Sequence, residues 1–331
     1  MDHLSEEQMR TEIYGTFGPA CADCTTLEAM FRAGMTGMRL NLSHVDLQDA
    51  AEQIAAFRSA ADAVGVSPQL VVDTQGPELR IGDLKAPLEL TAGDVVSFGP
   101  EGVPVPEEVR SALERGMEVL LDDGKISLRI REDGRGEVVR GGRLTGRKSV
   151  KITGKYIPLP VLTDRDISNI RRAKEFGVTG LLQPFVRSGG ELRRLRSALA
   201  ENGAEHLKIF AKIENLEGAN NLEDIIPEAD VIVIARGDLG TDMPLWKLPA
   251  MQKRISAACR AAGKPFVVVT QMLASMEHCA VPTRAEVSDI FNAVLDGAWG
   301  VMLTGETAVG QYPAEAIRYL ANTAQEAENQ K

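Results

Sequence analysis

The stretch KIFAKIENLEGANNLEDIIPEADVIVIARGDLGTDMP, residues 208–244, decides the reading of the chain. It contains two short apolar runs, each ending abruptly in charge. Ile209 to Ile213 leads to Lys212 and Glu214, and Val231 to Ala235 leads to Arg236, Gly237 and Asp238. Buried parallel strands have this form: a few apolar residues, a polar cluster at the carboxyl end, then a helix. Lys212 and Glu214 are two apart, so on extended chain they point the same way. Two acids and a base converging beside a glycine suit a metal ion together with a phosphate or carboxylate. A structural ion pair at a strand end is the plainer alternative.

Working outward, the same rhythm repeats. Strands are expected at Thr11–Thr16, Thr36–Leu40, Gln69–Val72, Thr179–Leu182, Pro265–Val269 and Trp299–Leu303, besides the two above. Helices are expected at Thr25–Arg32, Asp46–Val64, Thr163–Phe176, Gly190–Ala200, Trp246–Ala262, Pro282–Leu295 and Pro313–Glu326. Between the third strand and its helix the segments turn short and β-like (PLEL, DVVSF, EVLL, KISLRI, GEVVRGGRL, SVKI), punctuated by Gly, Pro and Asp. The expected fold class is therefore α/β: a (β/α)8 TIM barrel of residues 1–75 and 158–331, with a small β-barrel domain, 76–157, inserted after strand 3. Without the insertion roughly 250 residues remain, the usual size of such a barrel. A doubly wound sheet also alternates, but it rarely places a polar cluster after every strand.

Barrels of this kind carry their chemistry at the carboxyl ends of the strands. Here those ends hold Thr16, Arg39, Asn41, Ser43, Asp73, Thr74, Lys212, Glu214, Asp238, Thr270 and Glu306. Glu214 and Asp238, from neighbouring strand ends, suit one hard divalent cation such as Mg2+, completed by substrate oxygens. Lys212 and Arg39 add positive charge where a phosphoryl group could lie, and metal, Lys and Arg together form a sufficient kit for phosphoryl transfer. Asn41, Ser43, Asp73 and Thr74 offer four oxygens with one formal charge, which suits a monovalent cation or plain caps and turns. His44 alone fits a structural histidine, and Arg284 and Glu286 fit a salt-bridged surface.

Composition bounds the partners. The chain has 331 residues, 44% of them hydrophobic, and a net charge of −10 with no long basic run. A generic nucleic-acid or anionic-membrane surface is not expected. No apolar run reaches the ~18 residues of a membrane span, and MDHLSEEQMR is too polar for a signal peptide. Cys21, Cys24, Cys259 and Cys279 do not form a disulfide framework, and the Cys21–Cys24 C-x-x-C has no second pair to complete a zinc site. A reduced, cytoplasmic protein is the expectation.

The segments MRLNLSH (38–44), DTQGPELRIG (73–82), LLDDGKISL (120–128), AKIENLEG (211–218), IARGDLG (234–240), TQMLASM (270–276), PTRAEVSDI (282–290) and MLTGETAVGQYP (302–313) resemble pyruvate kinase, in order and at family spacing. The resemblance implies a barrel with an inserted β domain that closes over the site. It implies phosphoryl transfer between phosphoenolpyruvate and a nucleoside diphosphate, with Mg2+ (or Mn2+) and K+, in a homo-oligomer. Glu214 and Asp238 would ligate the divalent metal, and Lys212 would stabilise the phosphoryl group in flight. Arg39 would grip the substrate phosphate, and Gly237 and Asp238 would receive the carboxylate at a helix start. Thr270 would protonate the enolate, directly or through water. Asn41, Ser43, Asp73 and Thr74 would hold K+, and Glu78 is the residue type of K+-dependent members. Thr16, Pro19, His44, Arg80 and Lys148 would serve the nucleotide.

Departures from the family pattern gather on the nucleotide side. Gln75 and Val309 stand where the family has lysines, Asp49 where it has a tyrosine and Pro184 where it has a serine. These favour, as an alternative, a diverged enzyme acting on phosphoenolpyruvate, pyruvate or a related enol acid with another acceptor. The chain stops after the eighth helix, so the family's C-terminal domain, with its sugar-phosphate effector site, is expected to be absent.

Overall fold

The computed structural model describes residues 10–330, except 44, 77, 78, 123, 156, 158 and 159. The chain forms two compact units. One comprises Met1–Gly76, Val161–Gly240 and Trp246–Lys331, and the other comprises Pro77–Pro160 with Thr241–Leu245.

The first unit is a closed parallel barrel of eight strands: β1 Glu12–Thr16, β2 Gly37–Asn41, β3 Gln69–Asp73, β4 Gly180–Gln183, β5 Lys208–Ile213, β6 Val231–Ala235, β7 Phe266–Val269 and β8 Gly300–Met302. Each strand pairs with its sequence neighbours, and β8 closes on β1 through Glu12↔Gly300 and Tyr14↔Met302. Period-two alternation fills the interior with Tyr14, Val71, Leu182, Phe210, Val231, Val233, Val267, Val269 and Met302. Tyr14, Phe210 and Trp299 form a triangle of rings with centroids 6.3–6.5 Å apart. The same alternation aims the last inward residue of several strands at the carboxyl end. Asp73 follows Val71, Lys212 follows Phe210 and Thr16 follows Tyr14.

Eight principal helices follow the strands: α1 Cys24–Arg32, α2 Ala51–Val64, α3 Asp164–Arg172, α4 Gly189–Glu201, α5 Leu222–Glu228, α6 Leu248–Ala261, α7 Arg284–Leu295 and α8 Pro313–Glu328. Short helices at Leu216–Asn220, Arg236–Leu239 and Gly305–Ala308 lie between strand ends and principal helices. The sequence reading assigns no helix to residues 216–228. Thr163 and Thr283 start α3 and α7 with complete capping boxes to Asp166 and Glu286. Helix α2 begins at Ala51 and not at Asp46, because the Asp46 carboxylate is taken by Arg165 (2.6 Å) and Asn169 (2.9 Å). Asn169 also accepts the Leu47 N–H (2.8 Å), so residues 46–50 make a turn.

In the second unit the expected small barrel takes the form of a five-stranded antiparallel sheet with a separate two-stranded ribbon, Leu88–Leu90 with Gly142–Leu144. Val119, Leu121, Ile126, Leu128, Ile130 and Val138 share its core, and a short helix, Glu107–Ala112, joins them through Val109. Among the described residues no helix is long and apolar enough to cross a membrane.

Candidate active site

At the carboxyl ends of β1, β2, β3 and β5, side chains form one continuous polar array. Arg39 lies across the β2–β3 register from Val71. It donates Nε to Asp73 Oδ2 (2.8 Å), with a second guanidinium nitrogen 2.7 Å from the same oxygen. Its remaining arm reaches the Thr16 hydroxyl at 3.4 Å. Lys212 donates to both Asp73 oxygens (3.1 and 3.3 Å) and pairs with Glu214 Oε1 at 3.0 Å. The other Glu214 oxygen accepts the backbone N–H of Phe185 (2.9 Å). Asp73 and Glu214 are buried, 2% and 3% exposed, which rules out a solvated surface pair.

Burial opposes charge on Lys212, but Asp73 and Glu214 override it and hold the ammonium well above its ordinary range. Burial likewise works to raise the Asp73 carboxyl, and Lys212 and Arg39 together pull it below the usual carboxylate range. Both groups therefore stay ionised across the physiological range. The array holds two cations in position with two carboxylates.

Thr270 and Gln271, just past β7, occupy the left-handed region at φ +80 and +55. A β-branched residue there is strained, and such strain persists only where neighbours impose it. Arg236 imposes it. Its guanidinium donates to the Thr270 carbonyl through Nε (3.1 Å) and a terminal nitrogen (2.7 Å). It also reaches the Gln271 carbonyl (3.1 Å) and is anchored on Asp289 (2.6 Å). Gly237, exposed at the start of the short helix after β6, faces the result: a Cβ there would lie 3.1 Å from the Thr270 methyl. Asp238 is half-buried on the same turn. Sequence reasoning names Thr270 but gives Arg236 no role. A positive φ at Thr carries no sequence signal, since neither Gly nor Asn marks it.

The four oxygens suited to a monovalent cation come from adjacent chain. Asn41 and Asp73 are register partners across β2 and β3, and Thr74 follows Asp73. The Asn41 side-chain oxygen accepts the Ser43 N–H (3.1 Å) in a local turn. The Thr74 hydroxyl donates to the Leu182 carbonyl (3.2 Å). Neutral oxygens around a single carboxylate fit a large monovalent cation in donor chemistry. Among the described residues no three His, Cys, Asp or Glu side chains gather into a metal cage. A divalent cation held by Glu214 and Asp238 would have to draw its remaining ligands from substrate and water.

The residues expected on the nucleotide side are divided between the two units. Thr16 is buried, its hydroxyl donating to the Leu303 carbonyl (2.8 Å), and Pro19 opens the 3-10 turn Pro19–Cys21. Arg80 and Lys148 belong to the second unit, where Arg80 donates to the Arg147 carbonyl (2.9 Å) and Lys148 pairs with Asp122 (2.8 Å). His44 and Glu78 lie outside the described residues. Cys21 is a packing thiol: burial pushes it up to about 11, and it donates to the Thr16 carbonyl. Glu286, read as surface, caps α7 and also accepts the N–H (2.8 Å) and hydroxyl (2.6 Å) of Ser275.

Comparison with known proteins identifies the family. The family model of the pyruvate kinase barrel domain matches residues 8–317. The chain is 38% identical over 325 residues to the pyruvate kinase of Geobacillus stearothermophilus, covering 93% of this chain and 55% of that protein. It is 37% identical over 336 residues to that of Agrobacterium vitis, covering 97% and 69%. A human pyruvate kinase is 39% identical over 344 residues, covering 96% of this chain and 60% of its own. The chain thus spans little more than half the length of the Geobacillus relative. With the barrel closed, its polar array at the carboxyl end and this match over nearly its whole length, the chain belongs to the pyruvate kinase family.

Proposed function

We propose that the protein transfers a phosphoryl group between phosphoenolpyruvate and a nucleoside diphosphate, giving pyruvate and the triphosphate. Residues 1–75 and 158–331 are the catalytic barrel in this reading, and 76–157 the inserted domain. The observation that carries it is the interlocked set Arg39–Asp73–Lys212–Glu214, in which two cations are held against the same buried carboxylate. Arg39 holds the phosphate of phosphoenolpyruvate. Lys212 neutralises the charge that builds on the phosphoryl oxygens as the bond to the enol oxygen breaks and the bond to the terminal oxygen of the diphosphate forms. The pyruvate enolate left behind takes a proton at its methylene carbon from the side of Thr270, directly or through water. The backbone N–H groups at Gly237 and Asp238 receive the carboxylate. Glu214 and Asp238 hold Mg2+ or Mn2+, which when bound supplies Lewis-acid neutralisation of the phosphoryl and enol oxygens. Asn41, Ser43, Asp73 and Thr74 hold K+, and Thr16, Pro19, His44, Arg80 and Lys148 serve the nucleotide.

Four free cysteines and a net charge of −10 support a cytoplasmic enzyme without nucleic-acid or membrane partners, and a homo-oligomer is the family expectation. The test is pyruvate formation from phosphoenolpyruvate with Mg2+ and K+ across ADP, GDP, UDP and a no-nucleotide control. Turnover with a diphosphate, lost on removing K+, is the expected result. A second reading rests on Val309, which puts an apolar residue, 63% exposed, where the family has a lysine. No turnover, with phosphoenolpyruvate still binding in the presence of Mg2+, would favour that reading: a diverged enzyme with a different acceptor.

A further inference from the structure

Asp166 is 1% exposed, and among the described residues its carboxylate accepts only neutral donors. The N–H and hydroxyl of Thr163 reach Oδ2 at 2.9 and 2.8 Å, which completes the capping box of α3. Capping needs no more than that. Yet two further donors arrive from residues about ninety positions earlier: the Gln75 N–H on Oδ1 (2.9 Å) and the Gly76 N–H on Oδ2 (3.1 Å). A buried carboxylate is costly unless its lone pairs are used, and here four donors use them.

The two extra donors directly follow Asp73 and Thr74. The Thr74 N–H and hydroxyl are both tied to the Leu182 carbonyl, each at 3.2 Å. Three consecutive N–H groups, of Thr74, Gln75 and Gly76, therefore each have an assigned acceptor. The peptide plane joining Thr74 to Gln75 is rigid, so fixing the Gln75 N–H on Asp166 points the Thr74 carbonyl the opposite way. On the other side Pro184 closes the turn. Gly76 has φ +55, and a Cβ there would lie 2.6 Å from the Pro184 ring.

We propose that Asp166 is a positioning residue that holds the carboxyl end of β3 in the conformation its monovalent-cation oxygens require. The proposal rests on the reading of Asn41, Ser43, Asp73 and Thr74 as a K+ site. Asp166→Asn keeps one acceptor for Thr163 but turns an amide donor towards N–H donors. Thr163→Ala removes half of the cap and leaves the bonds to Gln75 and Gly76 in place. The two variants therefore separate helix capping from positioning.

The experiment measures the rise in Tm on replacing NaCl by KCl at equal ionic strength, together with the K+ concentration giving half-maximal rate. The expected result is that Asp166→Asn loses most of the K+-specific rise and needs about tenfold more K+, with saturating K+ restoring most of the rate. Thr163→Ala should respond to K+ as the parent does. If Asp166→Asn does not fold, Asp166→Glu, which moves the acceptor out by one methylene, is read in the same way. An unchanged K+ response in the Asp166 variant, or an equal shift in both variants, overturns the positioning role. A parent protein whose Tm and rate do not distinguish K+ from Na+ overturns the K+ reading itself, and the proposal with it.

Discussion

The buried array and the rim beside it follow different rules. In the array every charged group is held by another: Asp73 by Arg39 and Lys212, Lys212 by Asp73 and Glu214, Glu214 by Lys212 and the Phe185 N–H. Changing any member takes a partner from a buried charge. At the rim, Val309 and Asp49 are exposed and Gln75 is half-buried, so replacements there cost little folding energy. Three of the four expected departures from the family pattern, at Gln75, Asp49 and Val309, fall in that second region, whereas the fourth, Pro184, is buried. Where charges interlock, fold and chemistry constrain the same residues. Where side chains stand in water, chemistry alone constrains them, and they are free to drift.

The sharpest way to break this contrast is Lys212→Met. If the proposed reaction holds, it should lower the rate of pyruvate formation by about 10³-fold or more, since it removes a preset cation from the array. The protein should still fold at a cost in stability, because Arg39 continues to neutralise Asp73 and Glu214 keeps the Phe185 N–H. Circular dichroism and turnover measured together check both halves, and near-normal turnover would remove the role assigned to Lys212.

Asp73→Asn attacks the array from its anionic side. It should cost about 3 kcal/mol at neutral pH, the usual penalty for removing one partner of a buried ionic group. The pH dependence has a definite sign. The Asp73 carboxyl is depressed in the fold, so its stabilisation is complete above its ordinary pKa of 3.8 and fades as pH falls through the lower folded value. Urea melts should show a constant gap between protein and variant from about pH 7 to pH 4, narrowing only below that. A gap that closes near pH 6 would mean that the carboxylate is not held by these cations.

Most of the array is legible in the sequence alone. Strand alternation places Asp73, Lys212 and Thr16 inward at the carboxyl end, and alternating strands and helices imply the barrel that brings them together. What the sequence does not show is of two kinds. Some contacts run through backbone N–H groups, as at Phe185 to Glu214 and at Gln75 and Gly76 to Asp166, and any residue but proline supplies those. Others depend on strain imposed from a distance. Thr270 and Gln271 adopt left-handed conformations that their own side chains disfavour, because a guanidinium from the preceding strand end holds their carbonyls. The start of α2 differs from the expected one for a similar reason: a helix-compatible segment, 46–50, is held by side chains of α3.

Arg236→Lys tests that imposed strain. Lysine keeps the charge near Asp289 but cannot form the fork on Thr270 and Gln271. With the turn free to relax, kcat should fall by about tenfold while KM for phosphoenolpyruvate changes little, the pattern of a lost transition-state alignment. An equal fall after a change confined to Asp289 would assign the effect to the anchor of the clamp. Normal kcat in Arg236→Lys would mean that the left-handed turn needs no clamp.

Val309→Lys should have the smallest effect, and it tests the rim half of the comparison most directly. Position 309 ends the short helix Gly305–Ala308, is 63% exposed, and makes no demand on the core. A lysine there should leave Tm within about a degree, because exposed substitutions usually shift stability by no more than ~0.5 kcal/mol. If a nucleoside diphosphate is the acceptor, the restored cation gains one solvent-screened phosphate contact of about 1 kcal/mol. KM for the diphosphate should then fall by about three- to tenfold, with kcat unchanged. The gain should shrink in high salt, as a screened contact does, whereas the rate lost in Lys212→Met should not recover at any salt concentration. A KM that does not move would mean that the diphosphate does not pass this rim, and the departures at Gln75 and Val309 would then mark a different acceptor.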